Sequence, residues 1–315
     1  VNIALTFNEM RTAGEAHAEF DSPTTIAALV AALQRLGHTV QPIEVSRPVD
    51  QVVVELRAVA PELVLNLAEG DRGRFREAFY PALFEQLGLP CTGSSASVLA
   101  LCLDKALAKR VVAAAGVAVA RDAFLTAPGC CTALDLPLIV KPNFEGSSKG
   151  LHVVMTREGI STAVGRVLAR YPEGVIVEEY IEGSDVAVGW VAGIGMLAPV
   201  RYVYERTGTH PIFDRSAKKL GVSRIELPEL LPPTAHALRE AAARSFAALG
   251  VTGYGRADFR IKPGGEVVFL EMNPLPTLAE PDNELYAAAA LVGKSPDHLL
   301  SAILHNHWRP HAHPA

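Results

Sequence analysis

The sequence predicts an α/β protein with a parallel, doubly wound sheet at its N-terminal end. One observation carries that expectation, and two more organise the rest of the chain. Residues 1–90 alternate strand and helix in the order β-α-β-α-β, an order that a parallel sheet with crossover helices satisfies. An apolar strand, Leu138-Ile139-Val140, runs into Lys141-Pro142 and a loop of small residues before a further strand over 151–154. Finally, residues 253–260 and 267–274 read as two apolar strands lying side by side, joined by a turn at Pro263-Gly264-Gly265.

In the N-terminal part, a strand over 1–7 precedes a helix over 23–36. Ser22 is its N-cap, Pro23 its first helical position and Gly37 its C-terminal stop. A strand over 39–45, a helix over 49–59 and the apolar strand 63–67 follow. Ligands of such sheets sit beyond the carboxyl ends of the strands, which here carry Asn8, Glu9, Asn66, Glu69 and Asp71. No GxGxxG follows the first strand, so a dinucleotide is not indicated. Glu19, Asp21 and Glu77 lie close by in sequence and, as isolated acids, are expected mainly as solvated caps.

A single helix over 96–115 is expected next, with Asp104, Lys105 and Lys109 on or near one face. On spacing alone that face is solvated, unless a phosphate site lies beside it. Lys141 followed by Asn143-Phe144-Glu145-Gly146-Ser147-Ser148-Lys149-Gly150 supplies such a candidate: a cation, hydroxyls and open backbone N–H groups. It is not a Walker A loop, because the lysine precedes the glycines and no helix follows; a flexible hairpin has the same signature. Val175-Ile176-Val177-Glu178-Glu179-Tyr180-Ile181-Glu182-Gly183-Ser184-Asp185 reads as a strand running into acids and a glycine turn. Its backbone suits a base edge, or it is an edge hairpin. A strand-like run over 186–192 leads to a basic loop over 204–224 with Asp214, Arg215, Lys218 and Lys219, either a lid over anions or a surface excursion. A helix over 233–249 precedes the paired strands. A helical stretch from 287 ends in a tail containing His305, His307, His311 and His313, expected to be a disordered terminus rather than an adventitious metal site.

On the strand pair, Asp258, Glu271 and Asn273 fall at one end, and Glu271 and Asn273 point to one face. Carboxylates among Val, Phe and Leu cost desolvation unless a cation sits between them. Mg²⁺ accepts such oxygen ligands together with substrate phosphates. A solvated surface hairpin fits the spacing equally well.

Apolar residues make up 49% of the 315 and charged ones 20%, enough for two or three cored domains rather than disorder. A net charge of −5 gives no case for a nucleic-acid or anionic-membrane partner. No apolar run approaches the roughly 18 residues of a membrane span. The first residues read as a strand rather than a signal peptide. Cys91, Cys102, Cys130 and Cys131 lack metal or disulfide-framework spacing, so reduced thiols and a cytoplasmic location are expected.

Taken in order, six stretches resemble the ATP-grasp superfamily and, within it, the D-alanine–D-alanine ligases. They are Gly88-Leu89-Pro90-Cys91-Thr92-Gly93-Ser94; Leu103-Asp104-Lys105; Val140-Lys141-Pro142 with Glu145-Gly146-Ser147-Ser148; residues 177–183; Gly255-Arg256-Ala257-Asp258-Phe259; and Leu270-Glu271-Met272-Asn273-Pro274-Leu275-Pro276. Any one is weak, but six in order are specific. The resemblance implies an ATP-grasp fold of three parts: a Rossmann-like N-terminal domain (1–94), a small central domain (95–182) and a C-terminal domain with the metal site (183–315).

It also implies roles. Lys105 and Lys141 would hold the α/β phosphates, while Ser147 and Ser148 would belong to a mobile loop over the γ-phosphate. Glu178, Glu179, Tyr180 and Ile181 would form the adenine hinge, and Asp185 would take the ribose-binding position. Lys218 would reach the phosphates from the basic loop. Asp258, Glu271 and Asn273 would hold two Mg²⁺ ions, with Mn²⁺ as an alternative, and Arg256 would stabilise a tetrahedral intermediate. The implied chemistry activates a small-molecule carboxylate through ATP and joins it to an amine; family members are often homodimers.

The chain departs from the family after the metal motif. D-Ala–D-Ala ligases usually continue Pro-Gly-Met-Thr with a serine a few residues on, which together bind the second amino acid's carboxylate. Here the chain reads Pro276-Thr277-Leu278-Ala279-Glu280-Pro281-Asp282, so Thr277 takes the glycine position and Asp282 falls near the serine. An acid there repels a carboxylate in a low-dielectric site. The lysine-tyrosine pair of the family's loop becomes Lys218-Lys219. The glutamate that meets the first substrate's ammonium has Glu19 as its approximate counterpart. These departures predict a ligase with an acceptor other than D-alanine: an amine with extra positive charge or without a free carboxylate. A D-Ala–D-Ala ligase proper, and a nucleotide-binding regulatory protein without turnover, are the alternatives.

Overall fold

A computed structural model describes residues 1–12, 14–15, 17–128, 133–204, 224–278 and 283–307. Three sheets organise the chain. The first is parallel, in the order β2-β1-β3, from Thr39–Glu44, Asn2–Phe7 and Leu63–Asn66. Alternate residues of β1 face opposite sides. Ile3, Leu5 and Phe7 pack with Ile26, Leu29 and Leu33 of helix α1 (Pro23–Arg35), while Ala4 packs with Val52 and Leu56 of α2 (Val49–Val59) and Phe84 of α3 (Arg76–Gln86). The expected cap of α1 is present: the Ser22 hydroxyl accepts from the Thr25 N–H at 3.1 Å, and Gly37 has φ +87°.

The second sheet is antiparallel, β4-β7-β5-β6, from Asp122–Leu125, Val175–Glu179, Leu138–Pro142 and His152–Val154, backed by α6 (Arg157–Leu168). The third, also antiparallel, has the order β10-β9-β8-β11-β12: Arg224–Glu226, Gly195–Val203, Ser184–Val191, Tyr254–Ile261 and Val267–Asn273. One face of the third sheet buries Phe259, Phe269 and Val188 with Phe246 of α7 (Pro232–Leu249) and Val112. Its other face shares a core with the N-terminal sheet, through Val191, Leu197, Leu285 and Ile303 beside Ile3 and Leu33. The strand β7 passes through residues 180–183 directly into β8, so the second and third sheets are joined at the mouth of a cleft.

Several elements differ from expectation. The helix over 96–115 is two, α4 (Ala96–Leu103) and α5 (Lys105–Ala114), because Asp104 leaves helical geometry (ψ 90°) and caps α5, accepting from the Leu107 N–H at 3.1 Å. Helix α3 carries Pro81 inside it and had no sequence signature. The long strand β9 was also not expected. The C-terminal helices are α8 (Glu284–Leu291) and α9 (Pro296–His305). His305 thus closes a helix rather than a disordered tail, whereas His311 and His313 lie outside the described residues, as do Cys130, Cys131 and the basic loop over 205–223. Cys91 and Cys102 are free and buried. Among the described residues no helix is long and apolar enough to cross a membrane.

Candidate active site

Asp104 determines where the first lysine goes. By capping α5 it places Lys105 at the helix's first position. Asn143 locks that end to the neighbouring loop, donating to Asp104 at 2.7 Å and accepting from the Ala106 N–H at 2.9 Å. Lys105 bonds the Glu145 carbonyl and lies 3.7 Å from Glu271. One turn on, Lys109 is not on a solvated face. It is 1% exposed and pairs with Asp122 at 3.0 Å and Glu178 at 2.9 Å. Glu178 also holds Lys141, at 2.5 Å. Burial alone would raise the Glu178 carboxyl, but the two lysines outweigh it and hold it at about 2. Burial likewise works against the Lys141 ammonium, and Glu178 and Glu271 push its pKa up instead.

Lys105, Lys141, Glu178 and Glu271 line a cleft cavity of about 140 Å³ between the second and third sheets, with Ser148, Glu179, Tyr180, Ile181 and Asp185 on its wall. Ser147 and Ser148 both adopt positive φ, +50° and +55°. Two successive non-glycine residues there store backbone strain of the sort found at ligand clamps. In the linker, the Tyr180 N–H donates to the Pro137 carbonyl at 3.0 Å, and the Ile181 carbonyl accepts from Arg260 at 2.6 Å. Arg260 also stacks over the Tyr180 ring (5.0 Å) and pairs with both oxygens of Asp185, at 2.8 and 3.0 Å; Tyr204 donates to the same carboxylate at 2.6 Å. Asp185 is therefore built into the wall by Arg260 and Tyr204. Glu179 bonds Arg121 and the Asp135 N–H.

On β11 and β12, Arg256 is opposite Asn273 and Asp258 opposite Glu271. The register then slips, Phe259 pairing with Phe269, so Leu270 is a bulge residue; bulges re-aim side chains next to sites. Arg256 grips Asp258 at 2.8 and 2.9 Å, and Asn273 donates to Asp258 at 2.9 Å. Burial pushes the Asp258 carboxyl up to about 6; Arg256 opposes this, while Glu271 and Glu284 reinforce it. Among the described residues no three or more His, Cys, Asp or Glu side chains gather as an ion-holding group. Two carboxylates and an amide, one carboxyl driven toward its neutral form mainly by burial, fit a hard divalent ion that completes its shell with phosphate oxygens and water.

Behind this end of the cleft, between the third sheet and the N-terminal sheet, lies a larger cavity of about 1030 Å³. Glu19, Asp21, Glu69, Glu77, Glu271 and Glu284 face it, against Lys105 and Arg256. Glu19 and Glu77 are not solvated caps: the Glu77 residue is 8% exposed and so is the Glu19 side chain. Glu19 pairs with Arg76 at 3.2 Å and with Lys149. Arg76 also bonds the Phe144 carbonyl, so this cluster ties the N-terminal part to the Ser147–Ser148 loop. A Cβ at Gly146 would come within 2.2 Å of the Glu19 carboxylate, so a larger residue there would have to displace that carboxylate from its position. Burial works against the Glu19 carboxylate, but Arg76 and Lys149 pull its pKa down. Burial, Glu77 and Glu19 push Glu69 well above the usual range, and burial, opposed by Arg76, raises Glu77 to about 7.

A family model described as the C-terminus of D-ala D-ala ligase matches residues 112–305. A D-alanine–D-alanine ligase from Gluconobacter oxydans is 34% identical over 274 residues, covering 85% of this chain and 88% of that protein. The chain belongs to the D-alanine–D-alanine ligase family. Its fold is that of the ATP-grasp ligases. The structure of a D-alanine–D-alanine ligase from Bacillus anthracis complexed with ATP superposes with a TM-score of 0.78 at 19% identity, over 97% of each chain. VanG D-Ala:D-Ser ligase from Enterococcus faecalis gives 0.72 at 20% identity, over 96% of this chain and 98% of that one. The protein is accordingly an ATP-dependent carbon–nitrogen ligase of the D-Ala–D-Ala ligase type.

Of the residues expected at a ligase site, Lys105, Lys141, Ser147, Ser148, Glu178, Glu179, Tyr180, Ile181, Asp185, Arg256, Asp258, Glu271 and Asn273 line the two adjoining cavities. Glu19 and Thr277 line the larger one, while Lys218 and Asp282 lie outside the described residues. Sequence reasoning missed Arg260, Tyr202, Arg76, Lys149 and Glu284. Lys149 stood inside the quoted loop; Arg76 and Tyr202 sit on elements without a motif; Glu284 opens helix α8 next to an Asn cap that went unnoticed.

Proposed function

We propose that the chain activates a small-molecule carboxylate with ATP and joins it to an amine other than D-alanine. The convergence of Lys105, Lys141, Glu271 and Asp258 from four different elements on one cleft is the observation that supports it most. The substrate carboxylate attacks the γ-phosphorus and ADP leaves; the amine then displaces phosphate from the acyl phosphate and loses a proton as the amide forms. For such transfers the protein mainly positions and neutralises charge. Lys105 and Lys141 neutralise the α/β phosphates, and Ser147 and Ser148 close over the γ-phosphate. Residues 178–181 take the adenine, with Asp185 at the ribose end, and Lys218 reaches the phosphates. Arg256 holds the oxyanion. Mg²⁺ ions held by Asp258, Glu271 and Asn273 would supply charge neutralisation at the phosphates.

The altered acceptor is supported by the substitutions at Thr277 and Asp282 and by the acid-rich larger cavity. The relatives' names favour a D-Ala–D-Ala ligase proper as the competing reading. We take the enzyme to act in the cytoplasm on small amino compounds, without nucleic acid, and a homodimer is compatible with it. ADP release tests the proposal. It should require both a carboxylate and an amine, and should vanish in Glu271→Gln. Release that persists in that variant would exclude this site as the catalytic centre.

A further inference from the structure

Two of the chain's own carboxylates flank the Arg256 guanidinium and offset its charge toward any substrate carboxylate. Asp258 takes Nε and Nη2, and Glu284 approaches Nη1 at 3.4 Å. Glu284 is not a swinging surface acid. Its carboxylate accepts a hydrogen bond from the Tyr202 hydroxyl at 2.9 Å. Its backbone is the first residue of α8, capped by Asn283, which accepts from the Leu285 and Tyr286 N–H groups at 3.0 and 3.2 Å. The Asn283 amide also donates to the Thr277 carbonyl at 2.8 Å. Thr277, Asn283 and Glu284 thus form one bonded unit on the wall of the 1030 Å³ cavity, beside Arg256 and Asn273.

A ligase that accepts an α-amino acid must seat that acid's carboxylate near its oxyanion-stabilising arginine, against cations or N–H donors. Here a fixed carboxylate already occupies that edge of Arg256. A second one would meet like charge at close range, and such juxtaposition rejects partners. We propose that Glu284 sets the acceptor specificity. Resting on the ligase function proposed above, Glu284 fills the seat of an acceptor carboxylate, and the acceptor is an amine with no carboxylate on the carbon bearing its nucleophilic nitrogen. Amino-acid amides and decarboxylated amines are that class, and the cavity has room for side chains much larger than a methyl group.

The test uses the full chain with ATP, Mg²⁺ and a donor panel of D- and L-amino acids, with products read by mass. Hydroxylamine as acceptor reports donor activation alone, since it carries no carboxylate. Wild type should form a hydroxamate with at least one donor. With that donor it should use alaninamide over alanine by at least about tenfold in kcat/KM, in whichever enantiomer is accepted. Glu284→Gln and Glu284→Ser should each move that ratio toward alanine by about tenfold or more. A ratio taken within one preparation does not depend on how much of it is folded. A hydroxamate with an alaninamide-to-alanine ratio near one, or a ratio unchanged in both variants, would overturn the role of Glu284 and leave the ligase function standing. Absence of any hydroxamate would overturn the ligase function, and the inference with it.

Discussion

Glu178 and Glu77 are the same residue type, 4% and 8% exposed, yet their carboxyls sit on opposite sides of the ordinary range. Burial raises both. Glu178 is nonetheless held at about 2 and Glu77 is raised to about 7. The difference is the local supply of cations. Two lysines, Lys109 and Lys141, serve the single carboxylate of Glu178. Glu77 has an ion pair with Arg76, a guanidinium shared with Glu19 and Glu145, while Lys149 pairs with Glu19 and Glu145. On the proposed function, the nucleotide half of the site is thus internally balanced, with its lysines placed to meet phosphates. The proposed substrate half has more acids than cations on its wall, so a cationic group entering it would be held well.

The largest effect separating the halves should come from the phosphate and metal positions. Lys141→Ala and Glu271→Gln are each expected to lower turnover by on the order of a hundredfold or more, with the fold retained, as initial rates and circular dichroism would report. Near-normal rates in either variant would remove that residue from the catalytic set. Next is stability. Lys109→Met leaves Glu178 and Asp122 short of a buried cation, so unfolding in urea should show a loss of roughly 3–5 kcal/mol. A loss under about 1 kcal/mol would show that the Lys109 pairs are not a structural keystone.

Smaller effects follow from pH. A depressed carboxyl contributes stability that is complete above its unfolded value, near 4.5, and is lost as pH falls toward about 2. A raised carboxyl behaves oppositely: ionising Glu77 costs stability above about pH 7, and that cost is relieved as pH falls toward 4.5. Carboxyl ¹³C resonances should therefore show Glu77 titrating near neutrality while Glu178 stays ionised until below pH 4.5. Coincident titrations would erase the contrast. The smallest expected effect concerns the metal: Asp258, pushed up to about 6, must lose its proton to bind an ion. Apparent Mg²⁺ affinity in the presence of ATP should weaken as pH drops below 6; a flat profile from 5 to 8 would remove Asp258 from the ligand set.

The two halves were also unequally legible in the sequence. Lys105, Lys141, Asp258, Glu271 and Asn273 stand in short motifs at strand ends and helix starts, where backbone geometry fixes side-chain direction, and the strands carrying them were readable from apolar runs and turn residues. Even there, the break at Asp104 and the bulge at Leu270 escaped notice, since a capping aspartate reads as a helix-face residue and a bulge leaves no mark on an apolar strand. The substrate half is assembled from contacts between distant segments. Glu19 meets Lys149 across 130 positions and Arg256 reaches Glu284 from another element. Isolated acids such as Glu19 and Glu77 look like surface caps until the third dimension buries them. Pro81 likewise hid the helix that carries Arg76 and Glu77.

The most direct measurement is the mass of the product formed from ATP, Mg²⁺ and amino compounds supplied singly and in pairs. An amide joining a carboxylate donor to an acceptor other than D-alanine is the predicted result. D-Ala-D-Ala formed from D-alanine alone, at a rate no other pair exceeds, would contradict it.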